Sequence, residues 1–431
     1  MPLRTFNLTI DRLAYSPAGV GRVDGKVIFV PGTVPGDKVE VVLDQKRKSF
    51  ALGHIVTLHK PSRQRRQPPC PYVSRCGGCP WQQVAYPVQL SAKEMLVHEH
   101  LRRIAKIPAP PVLPIIPAPD EWHYRHRIRL RTGKKGRLGF SPVHSHEVVE
   151  IESCVIAERD IEARLRDARA WLAAVQTPVS HVELVLSDSA RPASKSVLIG
   201  EAVGVFQEDD DATCINFLHT YPQISGIIVS GQGWRRVWGD PTISFDLDSD
   251  GTALRVSRGS FTQVNLKGNR TLIATLLRLG DFCEEQRVIE LYCGAGNLSL
   301  PIARRVQTLV GVEQDRDAIA DARANAARLG QMNVRFLRAS ARTGIQRLLR
   351  NQAQAEVVVL DPPRAGALDV IDMLPRLGAR KVVYVSCDPT TLARDLRRLE
   401  AHGYRLQVAQ PIDLFPQTYH VETIAVSVLT C

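Results

Sequence analysis

Glu290-Leu291-Tyr292-Cys293-Gly294-Ala295-Gly296-Asn297 follows the apolar pair Val288-Ile289 and leads into a helical pattern. Its glycines let the backbone approach a ligand closely, and the start of a helix lies just beyond. Three further apolar runs repeat the same context: Thr308-Leu309-Val310-Gly311-Val312, Val357-Val358-Val359-Leu360 and Val382-Val383-Tyr384-Val385. Helical patterns such as Asp317 to Leu329 and Thr391 to His402 separate them. This alternation predicts an α/β domain, a doubly wound parallel sheet whose ligands sit at the carboxyl ends of the strands.

Glu313 at the tip of the second strand is placed to accept hydrogen bonds from ribose hydroxyls. A dinucleotide fold would carry a third glycine near Ser299, and this chain has none. The acid on the first strand, the Gly-x-Gly loop and Glu313 together resemble the S-adenosylmethionine-dependent methyltransferases.

Four motifs then fit one chemistry: Phe261-Thr262-Gln263-Val264-Asn265, Asp361-Pro362-Pro363-Arg364, Ser386-Cys387-Asp388-Pro389 and His420-Val421-Glu422. The middle two follow predicted strands directly, so they reach the ligand edge of the sheet. Uracil C5 is a poor carbon nucleophile and its proton is not acidic. A thiolate adding to C6 makes C5 enolate-like, able to take a methyl group; a base then removes the C5 proton and the thiol leaves. One cysteine and one carboxylate are required, and the thiol needs activating surroundings. Taken alone, Cys387 reads as a buried apolar residue; with Asp361 and Glu422 in the same topology it reads as a nucleophile. Cys293 has no paired carboxylate motif and is expected to be structural.

As a set, these motifs resemble the uracil-C5 RNA methyltransferase family. By that resemblance Cys387 is the nucleophile and Glu422 the proton acceptor. Gln263, Tyr292, Asn297, Glu313 and Asp361 line the methyl-donor and base pocket. Ser340 stands where the family often carries an amide or acid, and is counted as a cofactor contact despite that departure.

The first sixty residues look all-β. Val27-Ile28-Phe29-Val30, Val39-Glu40-Val41-Val42-Leu43 and His54-Ile55-Val56-Thr57 are separated by Asp24-Gly25, Pro31-Gly32 and Pro35-Gly36, a spacing that suits a small barrel. Gly19-Val20-Gly21-Arg22 through Pro35-Gly36-Asp37 resembles the TRAM domain, an OB-like RNA-binding barrel. The expected domains are therefore 1–60, a mainly-β centre over 61–262, and the methyltransferase domain over 263–431.

Nine cysteines in a chain with no signal-peptide core and no span-length apolar stretch argue for a cytoplasmic protein without disulfides. Cys70, Cys76 and Cys79 crowd into one loop, and Cys154 is the expected fourth ligand. Four thiolates suit zinc or a [4Fe–4S] cluster, and spacing does not choose between them. The family resemblance favours iron–sulfur. Within the family it points to enzymes acting on uracil 1939 of 23S ribosomal RNA, since the transfer-RNA members lack both barrel and cluster.

The chain carries 56 basic and 44 acidic residues in 431, a net +12, with 44% hydrophobic and 23% charged residues overall. That balance suits a polyanion. Trp122 to Arg131 alternates with period two, and as a strand puts Arg125, Arg127, Arg129 and Arg131 on one face. Like charges stacked so closely require an anion between them, and RNA phosphate is the expected one. Lys134, Lys135 and Arg137 follow, and Arg63, Arg65 and Arg66 would extend the track. The chain is expected to act as a monomer on RNA, with no membrane. A radical methylthiotransferase would use Cys-x3-Cys-x2-Cys, and an amino-group methyltransferase Pro-Pro-Tyr, where this chain has Arg364. A basic RNA-binding protein without catalysis would not keep Gln263, Asp361, Cys387 and Glu422 together.

Overall fold

The computed structural model describes residues 4–142, 145, 147–187, 195–248, 251–257 and 259–430; Cys431 and the side chain of Lys135 lie outside them. Strands β1 (Thr5–Leu13), β2 (Ala18–Val23), β3 (Lys26–Pro31), β4 (Lys38–Lys46) and β5 (Phe50–Lys60) close a barrel in the order β1-β2-β3-β5-β4. Closure leaves no free edge. Asp24 and Gly25 both take positive φ, the geometry of a two-residue turn matched to strand twist. Leu8, Ile10, Ile28, Val30, Val39 and Val41 fill the interior.

Helix α1 (Tyr86–Arg103) follows, and then a seven-stranded sheet: β6 (Arg127–Thr132), β7 (Leu138–Phe140), β8 (Val149–Glu150), β9 (Val179–Leu186), β10 (Ser196–Ala202), β11 (Ile224–Gly231) and β12 (Trp234–Gly239). Its order is β12-β11-β10-β9-β6-β7-β8. Helices α2 (Arg159–Ala163), α3 (Leu165–Ala174) and α4 (Asp210–Thr220) supply Ile161, Trp171 and Phe217 to a core shared with Ile128, Leu130, Val182 and Leu184. The single helix expected near 161–175 is thus two, broken at Arg164. A two-stranded sheet, β13 (Ile243–Asp246) with β14 (Ala253–Val256), packs Phe245 and Leu254 into the core of the last domain.

The last domain contains α5 (Leu266–Gly280), β15 (Arg287–Leu291), α6 (Ser299–Ala303), β16 (Thr308–Glu313), α7 (Arg316–Arg328), β17 (Val334–Arg338), α8 (Ala341–Arg350), β18 (Val357–Leu360), α9 (Leu368–Ile371), β19 (Lys381–Ser386), α10 (Pro389–Ala401), β20 (Tyr404–Ile412) and β21 (Glu422–Leu429). The sheet order is β17-β16-β15-β18-β19-β21-β20. The strands from β15 to β19 run parallel, while β21 lies antiparallel between β19 and β20. Both faces are buried, as a sheet covered by helices requires. Val357 and Val359 face the core of α5, α6 and α7, and Val358 and Leu360 face that of α8, α9 and α10.

Helix α1 falls in the span assigned to the central domain, yet Val97 and Leu101 belong to the α8–α10 core. The chain after it pairs Val112 with Ala409 and Ile116 with Ile412, extending the sheet beyond β20. Lys93 and Asp413, both fully buried, close this contact with a 2.6 Å ion pair. Among the described residues no helix is long and apolar enough to cross a membrane.

Candidate active site

Strand register assembles the site along the carboxyl edge of the last sheet. Leu291 pairs with Val312 and with Leu360, so Tyr292, Glu313 and Asp361 stand side by side one residue further on. Ser386 pairs with Thr423 in antiparallel register, so the next position sets Cys387 opposite Glu422. The reversed strand therefore delivers the carboxylate to the strand end that carries the thiol. Asp388 caps α10, accepting from the amides of Thr390 (2.8 Å) and Thr391 (3.1 Å), with Pro389 in the first turn. Cys387 is thus fixed between a strand end and a capped helix start.

The glycine loop adopts the conformation its residues allow. Tyr292, Gly294 and Gly296 have positive φ (65°, 53° and 95°), and a side chain at Gly294 would point into open space. Glu313 accepts from the Gly294 amide (3.3 Å) through one oxygen and from Gln314 and Asp315 (2.7 and 2.8 Å) through the other. Loop and acid are locked together at the edge where a nucleoside would lie. Asn297 exchanges hydrogen bonds of 2.8 and 3.0 Å with Asn269 of α5. The Tyr292 ring turns toward Asp369 and Asp395. Exposed Ser340 caps α8 by accepting from the Thr343 amide (3.3 Å), so its hydroxyl serves the helix. Gln263 is half-buried in the loop before α5, whose cap is Asn265. This open glycine loop with acids at its rim fits an adenosine whose sulfur bears positive charge.

Electrostatics around Cys387, Asp361 and Glu422 is dominated by burial. The Cys387 thiol is pushed up to about 12, first by burial and then by Glu422, with Arg364 acting the other way. Burial, reinforced by Asp361, drives Glu422 well above the usual carboxylate range, and Arg364 again opposes. Asp361 rises to about 7 by burial. With two acids and one thiol in one low-dielectric edge, burial biases all three toward their neutral forms. Burial, followed by Glu290 and Glu313, also raises Cys293 well above its ordinary value; its thiol lies in the core beside Gly311.

Cys70, Cys76, Cys79 and Cys154 are all free thiols that gather from two stretches of chain. Cys79 feels Cys154 and Cys76, and Cys76 feels Cys70. Four thiols suit a cluster or zinc by donor chemistry. Among the described residues, however, no three His, Cys, Asp or Glu side chains stand close enough to hold a metal ion as they are. The four are neighbours rather than a finished cage. Their loop, remote in sequence from the reacting motifs, runs straight into Trp81, whose amide donates to Gln417 (3.0 Å) five residues before Glu422.

The arginine strand differs from its expected form. β6 begins at Arg127, and Arg125 lies before it, beside Cys79 and Cys154. The anions that neutralise the stacked charges come from the protein: Arg127 pairs with Glu183 on the adjacent strand β9, and Arg129 with Glu201 on β10, one strand further. Arg65 pairs with Asp37 at 2.5 Å, and Arg66 with Glu121 at 2.8 Å, so these two tie the linker down rather than extend a track. Lys134 and Arg63 remain exposed.

Three residues near the site went without a role in the sequence reading. Arg364 donates to His420 (3.2 Å) and is the cation opposing the raised acids. His420, whose Nδ1 is buried without a partner in the structure, is depressed to about 4 by burial and by Arg364. Arg364 and His420 sat inside quoted motifs, so their signal was present. Tyr15, which donates from its Oη to the Cys387 carbonyl (3.1 Å), lies 372 positions away and had none.

A parallel sheet closed by one reversed strand, with a glycine loop and an acid at the second strand's tip, defines the class: an S-adenosylmethionine-dependent methyltransferase fold. The comparisons narrow it. A family model described as tRNA (Uracil-5-)-methyltransferase matches residues 244–428, and a TRAM domain model matches residues 1–56. The chain is 34% identical over 419 residues to the 23S rRNA (uracil(1939)-C(5))-methyltransferase RlmD of Thiobacillus denitrificans, covering 94% of this chain and 96% of that one. It is 33% identical over 446 residues to an uncharacterized RNA methyltransferase of Gloeobacter violaceus, covering 98% and 96%. The solved structure of the Pyrococcus abyssi tRNA (uracil-54, C5)-methyltransferase with S-adenosyl-L-homocysteine superposes with a TM-score of 0.73 at 22% identity, covering 98% of this chain and all of that one. The chain belongs to the RNA uracil-C5-methyltransferase family. The last comparison corrects one expectation: a tRNA enzyme matches the chain barrel included, so the barrel does not separate ribosomal from transfer-RNA substrates.

Proposed function

We propose that this protein transfers a methyl group to C5 of one uridine in 23S ribosomal RNA, at the position-1939 type of site, with Cys387 as nucleophile and Glu422 as base. The observation that carries the reading is the register that sets Cys387 opposite Glu422, one strand from Asp361. Bound S-adenosylmethionine supplies an electrophilic methyl on a sulfonium. Gln263, Asn297, Glu313, Asp361 and the Tyr292 loop would hold it, with Ser340 at the rim. The Cys387 thiolate adds to C6 of the uracil and the ring electrons move onto C5 and its carbonyl. After C5 has taken the methyl, Glu422 removes the C5 proton and the thiolate leaves. Burial suits Glu422 to that task, since a carboxylate that binds its proton tightly is the stronger base. Arg364, which lowers the pKa of both groups, supports the ionised forms that thiolate addition and proton removal require.

The target base must leave its stack to reach Cys387, which costs a few kcal/mol and is least in a loop. The ribosomal substrate is supported by relatives named for it at 31–34% identity over nearly their whole length. A transfer-RNA uridine is the second reading, favoured by the full-length match to the tRNA enzyme. Mapping 5-methyluridine in both RNAs from cells with and without the gene decides: loss at one 23S position supports the first reading, and loss in transfer RNA replaces it. Cys70, Cys76, Cys79 and Cys154 would hold a [4Fe–4S] cluster with a structural role, joining the loop before Trp81 to the central domain.

A further inference from the structure

We propose that Tyr15, contributed by the barrel, is a positioning residue for the nucleophile; the inference rests on Cys387 being that nucleophile. The Cys387 carbonyl lies where two regular hydrogen-bond systems stop. The β19–β21 ladder reaches Ser386–Thr423, and α10 begins at Pro389, with its first amides bonded to the Asp388 side chain. A carbonyl at such a junction needs a donor from elsewhere. Tyr15 Oη fills that place at 3.1 Å from the turn between β1 and β2.

The turn is built to hold the ring there. Tyr15 meets Tyr419 and His100 edge-on, with centroids 5.4 and 5.9 Å apart, and His420 at 6.4 Å. Leu13 on one side of the turn packs with buried Trp81, Val84 and Leu96, and Trp81 Nε1 donates to the Ser16 carbonyl at 3.2 Å. Arg12 pairs with Glu99 of α1 at 2.5 Å. Burial, with Asp388 and Cys387 beside it, drives the Tyr15 phenol far above its ordinary range, so it stays a neutral donor at every working pH. The same ring touches Tyr419 and His420, three and two residues before Glu422. One barrel side chain thus braces both the strand end that carries the thiol and the segment that carries the base. A barrel that only gripped RNA would have no reason to place a hydroxyl on this carbonyl.

The test is Tyr15→Phe, which keeps the ring and its edge contacts and removes only the donor. The full-length protein is assayed for kcat, for KM of RNA and of S-adenosylmethionine, and for the single-turnover rate of adduct formation on RNA carrying 5-fluorouridine. We expect kcat and the adduct rate to fall together by about tenfold, the scale of one hydrogen bond, with both KM values within twofold of the unmutated enzyme. Tyr15→Leu should fall further, because the braced segment loosens as well. Tyr15→Phe with an unmutated adduct rate overturns the inference, as does weaker RNA affinity at unchanged kcat. Cys387→Ala run alongside separates the two levels. If it still methylates, the nucleophile assignment fails; if it is dead while Tyr15→Phe is normal, only the role of Tyr15 fails.

Discussion

Replacing Glu290 with Gln should stabilise the protein at alkaline pH and not at acidic pH. Glu290 sits one residue from the carboxyl end of β15, 1% exposed, between Gly311 and Val359 of the neighbouring strands. The Ser299 hydroxyl donates to it. Burial, followed by Asp361 and Glu313, raises it from an ordinary 4.5 to about 8. Because the folded-state value is the higher one, the unfolded chain releases this proton first. Its contribution to stability is complete below about 4.5 and is lost as pH rises toward 8. At about 1.36 kcal/mol per tenfold in proton affinity the interval amounts to a few kcal/mol, most of it falling between pH 5 and pH 8. Gln keeps an acceptor for Ser299 and carries no titrating proton. Urea unfolding of both proteins at pH 5, 6.5 and 8 measures the difference, in which titrating groups not coupled to Glu290 cancel. We expect the variant to gain a few kcal/mol on the unmutated chain across that range. Parallel pH profiles, or a loss at pH 8 relative to pH 5, would refute the buried-acid argument.

Lys93→Met should cost about 3–5 kcal/mol in chemical denaturation, because it strands Asp413 in the core, and the double variant Lys93→Met with Asp413→Leu should recover most of it; equal losses in both would deny the pair its isolation from water. Anaerobically purified protein should be brown, with about four irons and four sulfides per chain, and Ala at Cys70, Cys76, Cys79 or Cys154 should bleach it; stoichiometric zinc without labile sulfide argues for the other four-thiolate metal. Arg129→Ala should leave the salt slope of RNA binding unchanged, since its charge is spent on Glu201, whereas a slope lower by about 0.7 would return this strand to the RNA.

The sheet was legible because its strands are short, apolar on both faces and separated by helical patterns of ordinary length. Val288 to Leu291, Val357 to Leu360 and Val382 to Val385 all fall within observed strands, and Asp317 to Leu329 misses α7 by one residue at each end. The barrel was legible for a different reason: its turns are Asp-Gly and Pro-Gly pairs whose backbone demands few other residues meet. Direction was harder to read. Nothing local in Val421 to Leu429 marks β21 as reversed, although that reversal brings Glu422 to Cys387. The arginine strand shows the limit of period two. Alternation placed Arg127, Arg129 and Arg131 on one face of β6, but the glutamates opposite them arrive from β9 and β10, more than fifty residues on. Tyr15 is the extreme case, a side chain defined by one long-range hydrogen bond and by the aromatic rings packed around it.

Glu422→Gln tests the central assignment most directly. It keeps the shape of the buried carboxyl and removes the base, so addition of the thiol and methyl transfer can proceed while loss of the C5 proton stalls by about a hundred- to ten-thousand-fold. The variant is incubated with RNA and S-adenosylmethionine carrying a labelled methyl, then run on a denaturing gel and digested. We expect a labelled protein–RNA band that survives denaturation and a crosslinked peptide containing Cys387. A labelled peptide that contains Cys293 instead, or free methylated RNA at the unmutated rate, would contradict it.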